Sequence, residues 1–129
     1  MRKSKLSQAK EISIETKYEV LERQHWRSIS GVAVTKDNVS FHHVISRGNG
    51  GIGLAFNIVA ITPNEHRWYH DHADIMVNGR KRYTWIEFDI LMKNHLKLKY
   101  PYWNENACKY HKMWDVKDYW NEIKIEREK

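Results

Sequence analysis

A single cysteine, Cys108, stands among 129 residues. One thiol cannot close an intramolecular disulfide or build a cysteine-based zinc site. No apolar run approaches the ~18–20 residues that a spanning helix needs, so no membrane partner is expected. The basic start Met1-Arg2-Lys3-Ser4-Lys5 leads into no apolar stretch, so no secretory leader is expected, and the cytoplasm is the expected compartment. Glycine is scarce and uneven: four of the six glycines fall within positions 48–53. Acidic side chains are outnumbered, 16 against 22 Lys and Arg, and the resulting charge of +6 favours a polyanionic partner. Charge alone fits a generic basic protein equally well. Aromatic residues, in contrast, are plentiful. Six Trp, seven Tyr and three Phe supply a core and argue against disorder, at a length that fits one domain.

Residues 1–12 are polar and basic, which predicts a flexible tail, either reaching DNA phosphates or simply solvated. Residues 13–129 are expected to form one domain, with a core motif over 31–72 and a helical part over 80–129. Over 13–25, Ile14, Tyr18, Val20 and Leu21 recur at helical spacing. Val32 and Val34, then Val39 and Phe41, alternate about a Lys36-Asp37-Asn38 turn, predicting a β-hairpin that runs into His42-His43. The glycine-dense stretch 46–53 is a loop. An apolar run over 54–61 is broken by Asn57. Thr62-Pro63 is a good helix start, Thr as cap and Pro at the first position, and that helix carries residues 64–70. Asn78-Gly79 ends that region. A longer helix over 83–98 places Trp85, Phe88, Leu91, Met92, His95 and Leu96 on one stripe, and Pro101 closes it. One more helix is expected within 104–129.

Histidine carries the chemical signal. Four of the eight histidines lie in a hairpin–loop–helix segment. His66 and His70, at i and i+4 on a helix, project from one face, a usual arrangement for chelating a divalent metal. Alone, that spacing is a weak signal. His42-His43 adds a second element, because neighbouring strand residues point to opposite sides. One of the pair can join a metal while the other faces elsewhere.

The order His-His, Gly-Gly loop, Asn, helix with His-x-x-x-His resembles the HNH endonuclease family. The stretch His42-His43-Val44-Ile45-Ser46-Arg47-Gly48-Asn49-Gly50-Gly51 is similar to that family's first motif, Asn57 matches its middle letter, and His66 its last. His70 and the paired histidine look most like the nuclease domain of DNase colicins. Val20-Leu21-Glu22-Arg23 and Leu98-Lys99-Tyr100-Pro101-Tyr102-Trp103-Asn104 are similar to short phage-encoded members. The resemblance spans residues 17 to about 112 and is strongest over 41–70. It implies an α+β fold, the ββα-metal motif, in which a β-hairpin and a helix pinch one metal ion, flanked by further helices.

For function, the resemblance implies a metal-dependent DNA endonuclease that leaves 5′-phosphate and 3′-hydroxyl ends. His43 would be the general base, with its second nitrogen donating to a loop carbonyl. His42, His66 and His70 would hold one divalent ion (Mg, Mn, Ni or Zn), with Asp71 or His72 in place of His70 if the helix ends early. Asn57 would brace the loop and hold His43 in line. DNA would lie with its minor groove over helix and hairpin, and Arg23, Arg47 and Arg67 would contact phosphates. Phage relatives further imply work beside a packaging terminase. The chain departs from those relatives in lacking two Cys-x-x-Cys pairs for a structural zinc, which would fall near 27–30 and at 62–65. Trp26 and Trp68 are then expected to supply the missing packing. Two other readings share these residues: a DNA-binding module that has lost cleavage, and an interaction module stabilised by a closed metal site.

Overall fold

The computed structural model describes residues 4–126. Its centre is an antiparallel pair, β1 (Ser40–His43) with β2 (Ile58–Ile61), in which Ser40 lies opposite Ile61 and His43 opposite Ile58. All four residues of β2 are buried, because both faces are covered. Val59 and Ile61 point into a core with Phe56, Ile75, Phe88, Met92 and Leu96. Ile58 and Ala60 point the other way, into a smaller core with Val20, Leu21 and Val34. After Thr62, the chain enters a helix over Pro63–His70. Strand, strand and helix thus follow in ββα order within an α+β architecture.

The strand partner differs from expectation. The hairpin predicted over 32–43 does not form; 27 and 33 meet in an isolated bridge, and Val34 N–H donates to the Trp26 carbonyl. His25 and Trp26 have φ of 54° and 56°, which turns the chain away from strand geometry. The alternation at Val32 and Val34 resembles a strand, but only Val34 of that pair is buried, whereas all four residues of β2 are.

The N-terminal segment also departs from expectation. Residues expected as a flexible tail form helix α1 (Lys5–Lys10), with Ser4 capping through its side chain. Gly53 N–H donates to the Ala9 carbonyl, and Ala9 packs on the larger core. A Cβ on Gly53 would collide with the Glu11 carbonyl, so glycine is required for this close approach. Residues 1–3 of the expected tail lie outside the described residues. Helix α2 (Ile14–Arg23) follows with Ser13 as its cap, close to the expected span. The helix over Pro63–His70, α3, carries a Thr62–Glu65 capping box.

Asn78-Gly79 is the turn of a second hairpin that was not expected. It joins β3 (Ile75–Val77) to β4 (Arg80–Tyr83), and both turn residues have positive φ, 52° and 76°, as a primed hairpin turn requires. Helix α4 (Trp85–Lys99) then buries Phe88, Met92 and Leu96. Helix α5 (Val116–Glu122), capped by Asp115, closes the fold. No described helix is long and apolar enough to cross a membrane.

At the positions where cysteine pairs would have fallen, a polar cluster joins the two segments. The Ser28 and Ser30 hydroxyls donate to Glu65 Oε2, and Thr62 N–H donates to Oε1. Glu65 is 1% exposed, so these bonds are what make its burial tolerable. Trp26 packs partly buried on the smaller core and Trp68 on the larger.

Candidate metal centre and cleft

Strand alternation sends His42 toward α3 and His43 toward the N-terminal segment. On α3, the i, i+4 spacing brings His66 and His70 together, with ring centroids 4.6 Å apart. His42 meets both, at 5.1 Å and 5.5 Å between centroids. One ligating atom from each of the three lies within 4.8 Å of the others.

The donor set fits a metal ion. His42 Nδ1 and His66 Nε2 are 3.3 Å apart. That is the edge of a tetrahedron with metal–nitrogen bonds of about 2.0–2.1 Å. His66 Nδ1 contacts the Ser40 hydroxyl. With Nδ1–H donating to that oxygen, Nε2 keeps a free lone pair for an ion. His42 Nε2 is buried with no hydrogen-bond partner among the described residues, and Tyr69 closes the wall behind that ring at 5.0 Å. Tyr69 is itself tied by its hydroxyl to Asp89 at 2.6 Å. Burial, helped by the neighbouring histidines, pushes the His42 pKa down to about 3, and burial also lowers His66. Both are therefore held neutral, the form that ligates metal.

The expected alternatives to His70 are drawn elsewhere. Asp71 is the C-cap of α3, and His72, at φ 54°, stacks on Trp85 at 4.1 Å. The remaining histidines also have other places. His95 accepts from Arg23, His111 stacks on Trp114 at 3.7 Å, and His25 is an exposed turn residue.

His43 contributes to the same cleft, which is lined by Ile12, Phe41, Ser46, Arg47, Gly48 and the four histidines, with a volume of about 460 Å³. Its Nε2 lies 2.8 Å from the Lys10 carbonyl. A carbonyl can only accept, so Nε2 carries the proton and Nδ1 is the basic nitrogen. A carbonyl partner was expected, but from the loop; it comes instead from the end of α1. Burial lowers the pKa of His43, with the Lys10 carbonyl acting the other way and Arg47 adding to the lowering.

Asn57 is fully buried and does not reach the cleft. Its side chain accepts from Ile45 N–H at 2.8 Å and donates to the Ile45 and Ile52 carbonyls. It clamps the loop that follows β1.

The three arginines part company. Arg47 is exposed on the cleft rim, and Arg67 is exposed on α3. Arg23, expected at a phosphate, is instead committed to the fold. It donates to the Ala55 and Ile58 carbonyls at 2.8 Å and 2.7 Å, to His95 Nε2 at 3.0 Å and to the Tyr100 hydroxyl. Helical spacing placed it correctly at the end of α2 but could not show what lay across from it.

Sequence reasoning missed Ser40 and the Lys10 carbonyl. Ser40 had a signal, since it lies two residues before His42 and so shares its face. A backbone carbonyl has none. No protein family model matches the chain, and no curated protein or solved structure matches it.

Proposed function

We propose that this protein is a metal-dependent DNA endonuclease of the HNH type. The observation that carries the reading is the cleft in which His42, His66 and His70 converge beside His43. Three ligating side chains and an open mouth suit catalysis, whereas a structural site would close with four protein ligands. An all-imidazole set favours a transition ion such as Zn, Ni or Mn over Mg, which prefers oxygen.

His43 Nδ1 takes a proton from a water, whose oxygen then forms a bond to the scissile phosphorus. The bond from phosphorus to the 3′ oxygen breaks with its electron pair on that oxygen, which takes a proton from solvent water, leaving a 5′-phosphate and a 3′-hydroxyl. Arg47 holds a phosphate oxygen at the rim. Asn57 keeps the loop, and with it His43, in register. A bound metal supplies stabilisation of the negative charge that gathers on the phosphate and the departing oxygen.

Supercoiled plasmid incubated with the protein and Mg²⁺, Mn²⁺, Ni²⁺ or Zn²⁺ tests this directly. Nicking is expected with at least one ion and is expected to fall by about 10²–10⁴-fold in His43→Ala. Intact plasmid with every ion sinks the proposal. DNA binding without cleavage would point to a module that has lost its chemistry.

A further inference from the structure

The cleft does not stop at His43. Phe41 lines it, and Phe41 also lines a neighbouring groove of about 290 Å³, together with Ile14, Lys17, Tyr18, Leu21, Lys36 and Val39. In β1, Phe41 and His43 stand two residues apart and so share a face, with Cα atoms about 7 Å apart. The second groove therefore continues on the His43 face of the strand, opposite the face that carries His42.

Its floor, Leu21, Val39 and Phe41, belongs to the smaller core, and its rim is exposed. Tyr18 is 44% exposed and Ile14 is 64% exposed, on the outer face of α2. Lys17 Nζ sits 5.8 Å from the centre of the Phe41 ring. Lys17 and Lys36 are exposed and make no ion pair among the described residues. None of the lining residues is acidic. An exposed tyrosine flanked by ammonium groups that make no ion pair among the described residues, in continuity with the histidine cleft, matches a nucleic-acid strand whose bases are free to stack. A base inside a duplex is already stacked on its neighbours and cannot present a face to Tyr18.

We propose that this groove binds an unpaired stretch of DNA next to the scissile phosphate, so that the enzyme prefers single-stranded, gapped or flapped DNA to blunt duplex. A base stacks on the exposed Tyr18 ring, while Lys17, held over the Phe41 ring, and Lys36 hold the phosphates. The preference rests on the nuclease reading for its biological meaning, but the groove can be tested by binding alone.

The probes are a fluorescein-labelled oligothymidine of about 20 nucleotides and a blunt duplex of the same length, read by anisotropy against the metal-free full-length protein across a salt series. The single strand is expected to bind at least about tenfold more tightly, a margin of the size one aromatic–base stack supplies. Tyr18→Ala is expected to remove most of that margin and Tyr18→Phe to keep it. Lys17→Ala with Lys36→Ala should flatten the single-strand salt slope by about 1.4, roughly 0.7 for each phosphate that is no longer neutralised. All these positions are exposed, and far-UV circular dichroism checks that each variant folds. Equal affinity for the two probes, or a margin indifferent to Tyr18→Ala, overturns the proposal, as does no binding to either probe. If the margin behaves as expected while plasmid stays intact with every metal, the groove stands and the nuclease reading falls. If plasmid is nicked but the margin is absent, the reverse holds.

Discussion

Two polar clusters flank β2, and they are built on opposite terms. On one side, Arg23, Gln24, His95 and Tyr100 form a saturated network. Gln24 alone donates to the Arg27 and Ala60 carbonyls and accepts from Ala60 N–H. On the other side, His42 is buried with an orphaned nitrogen and faces two further histidines. Both clusters contain a histidine that burial holds neutral, with His95 pushed down to about 4 and His42 to about 3. The difference lies in completion. Where every buried side-chain nitrogen and oxygen has a partner, the polar groups serve the fold. Where imidazole nitrogens converge on one another, from the buried His42 to the exposed His70, they leave a set of lone pairs that a cation could take.

Substitution by apolar side chains of similar length should separate the two clusters most sharply. Arg23→Met is expected to destabilise by about 3 kcal/mol in urea denaturation, since it strands two buried carbonyls. His42→Leu is expected to stay within about 1 kcal/mol of wild type without metal, because its nitrogens contribute little to the fold. A large loss in His42→Leu would erase the distinction. Metal should then restore the contrast from the other direction. Zn²⁺ or Ni²⁺ at about 100 times its Kd should stabilise wild type by about 2.7 kcal/mol, and His42→Leu or His66→Ala by far less. Equal stabilisation of all three would place the ion elsewhere.

Acid should next expose the saturated side. The pKa of His95 is lowered from 6.5 to about 4, chiefly by burial and then by Arg23. Between those values the unfolded chain takes up a proton that the native state refuses, so stability falls as pH drops from about 6.5 to about 4 and then levels. After discounting for partial exposure, the fall is on the order of 1 kcal/mol. His95→Gln, compared with wild type at about pH 7.5 and about pH 4.5, should show a smaller fall; an identical one removes His95 from the account. The mildest effect is expected at the Glu65 cluster, where Ser30→Ala should cost about 1 kcal/mol, because Ser28 and Thr62 still serve the carboxylate.

The histidine grouping was legible because it rests on two short periods. Four residues along α3 bring His66 over His70, and one step along β1 divides His42 from His43. The helix starts at Ser13 and Thr62 were equally local, since a cap is a bond between near neighbours. The partner of β1 was not local. Val32 and Val34 alternate as convincingly as a real strand, and only the burial of both faces of Ile58–Ile61 decides between them. The second hairpin was hidden by shortness and by the polar run Arg80-Lys81-Arg82, although Asn78-Gly79 marked its turn. The polar composition of residues 5–10 concealed a helix whose anchors are backbone groups.

The sequence by itself determined which histidines come together, because spacing within one helix or one strand sets the direction in which each imidazole points. It also determined that no pair of cysteines could join them. Tertiary structure alone decided what each of those groups meets. It gave Arg23 to the carbonyls of Ala55 and Ile58, gave His43 to the Lys10 carbonyl, and set an aromatic, basic groove beside the cleft. The physical reason is distance along the chain. These bonds join segments 32 to 35 residues apart, or use backbone atoms that every residue carries, and neither leaves a periodic trace.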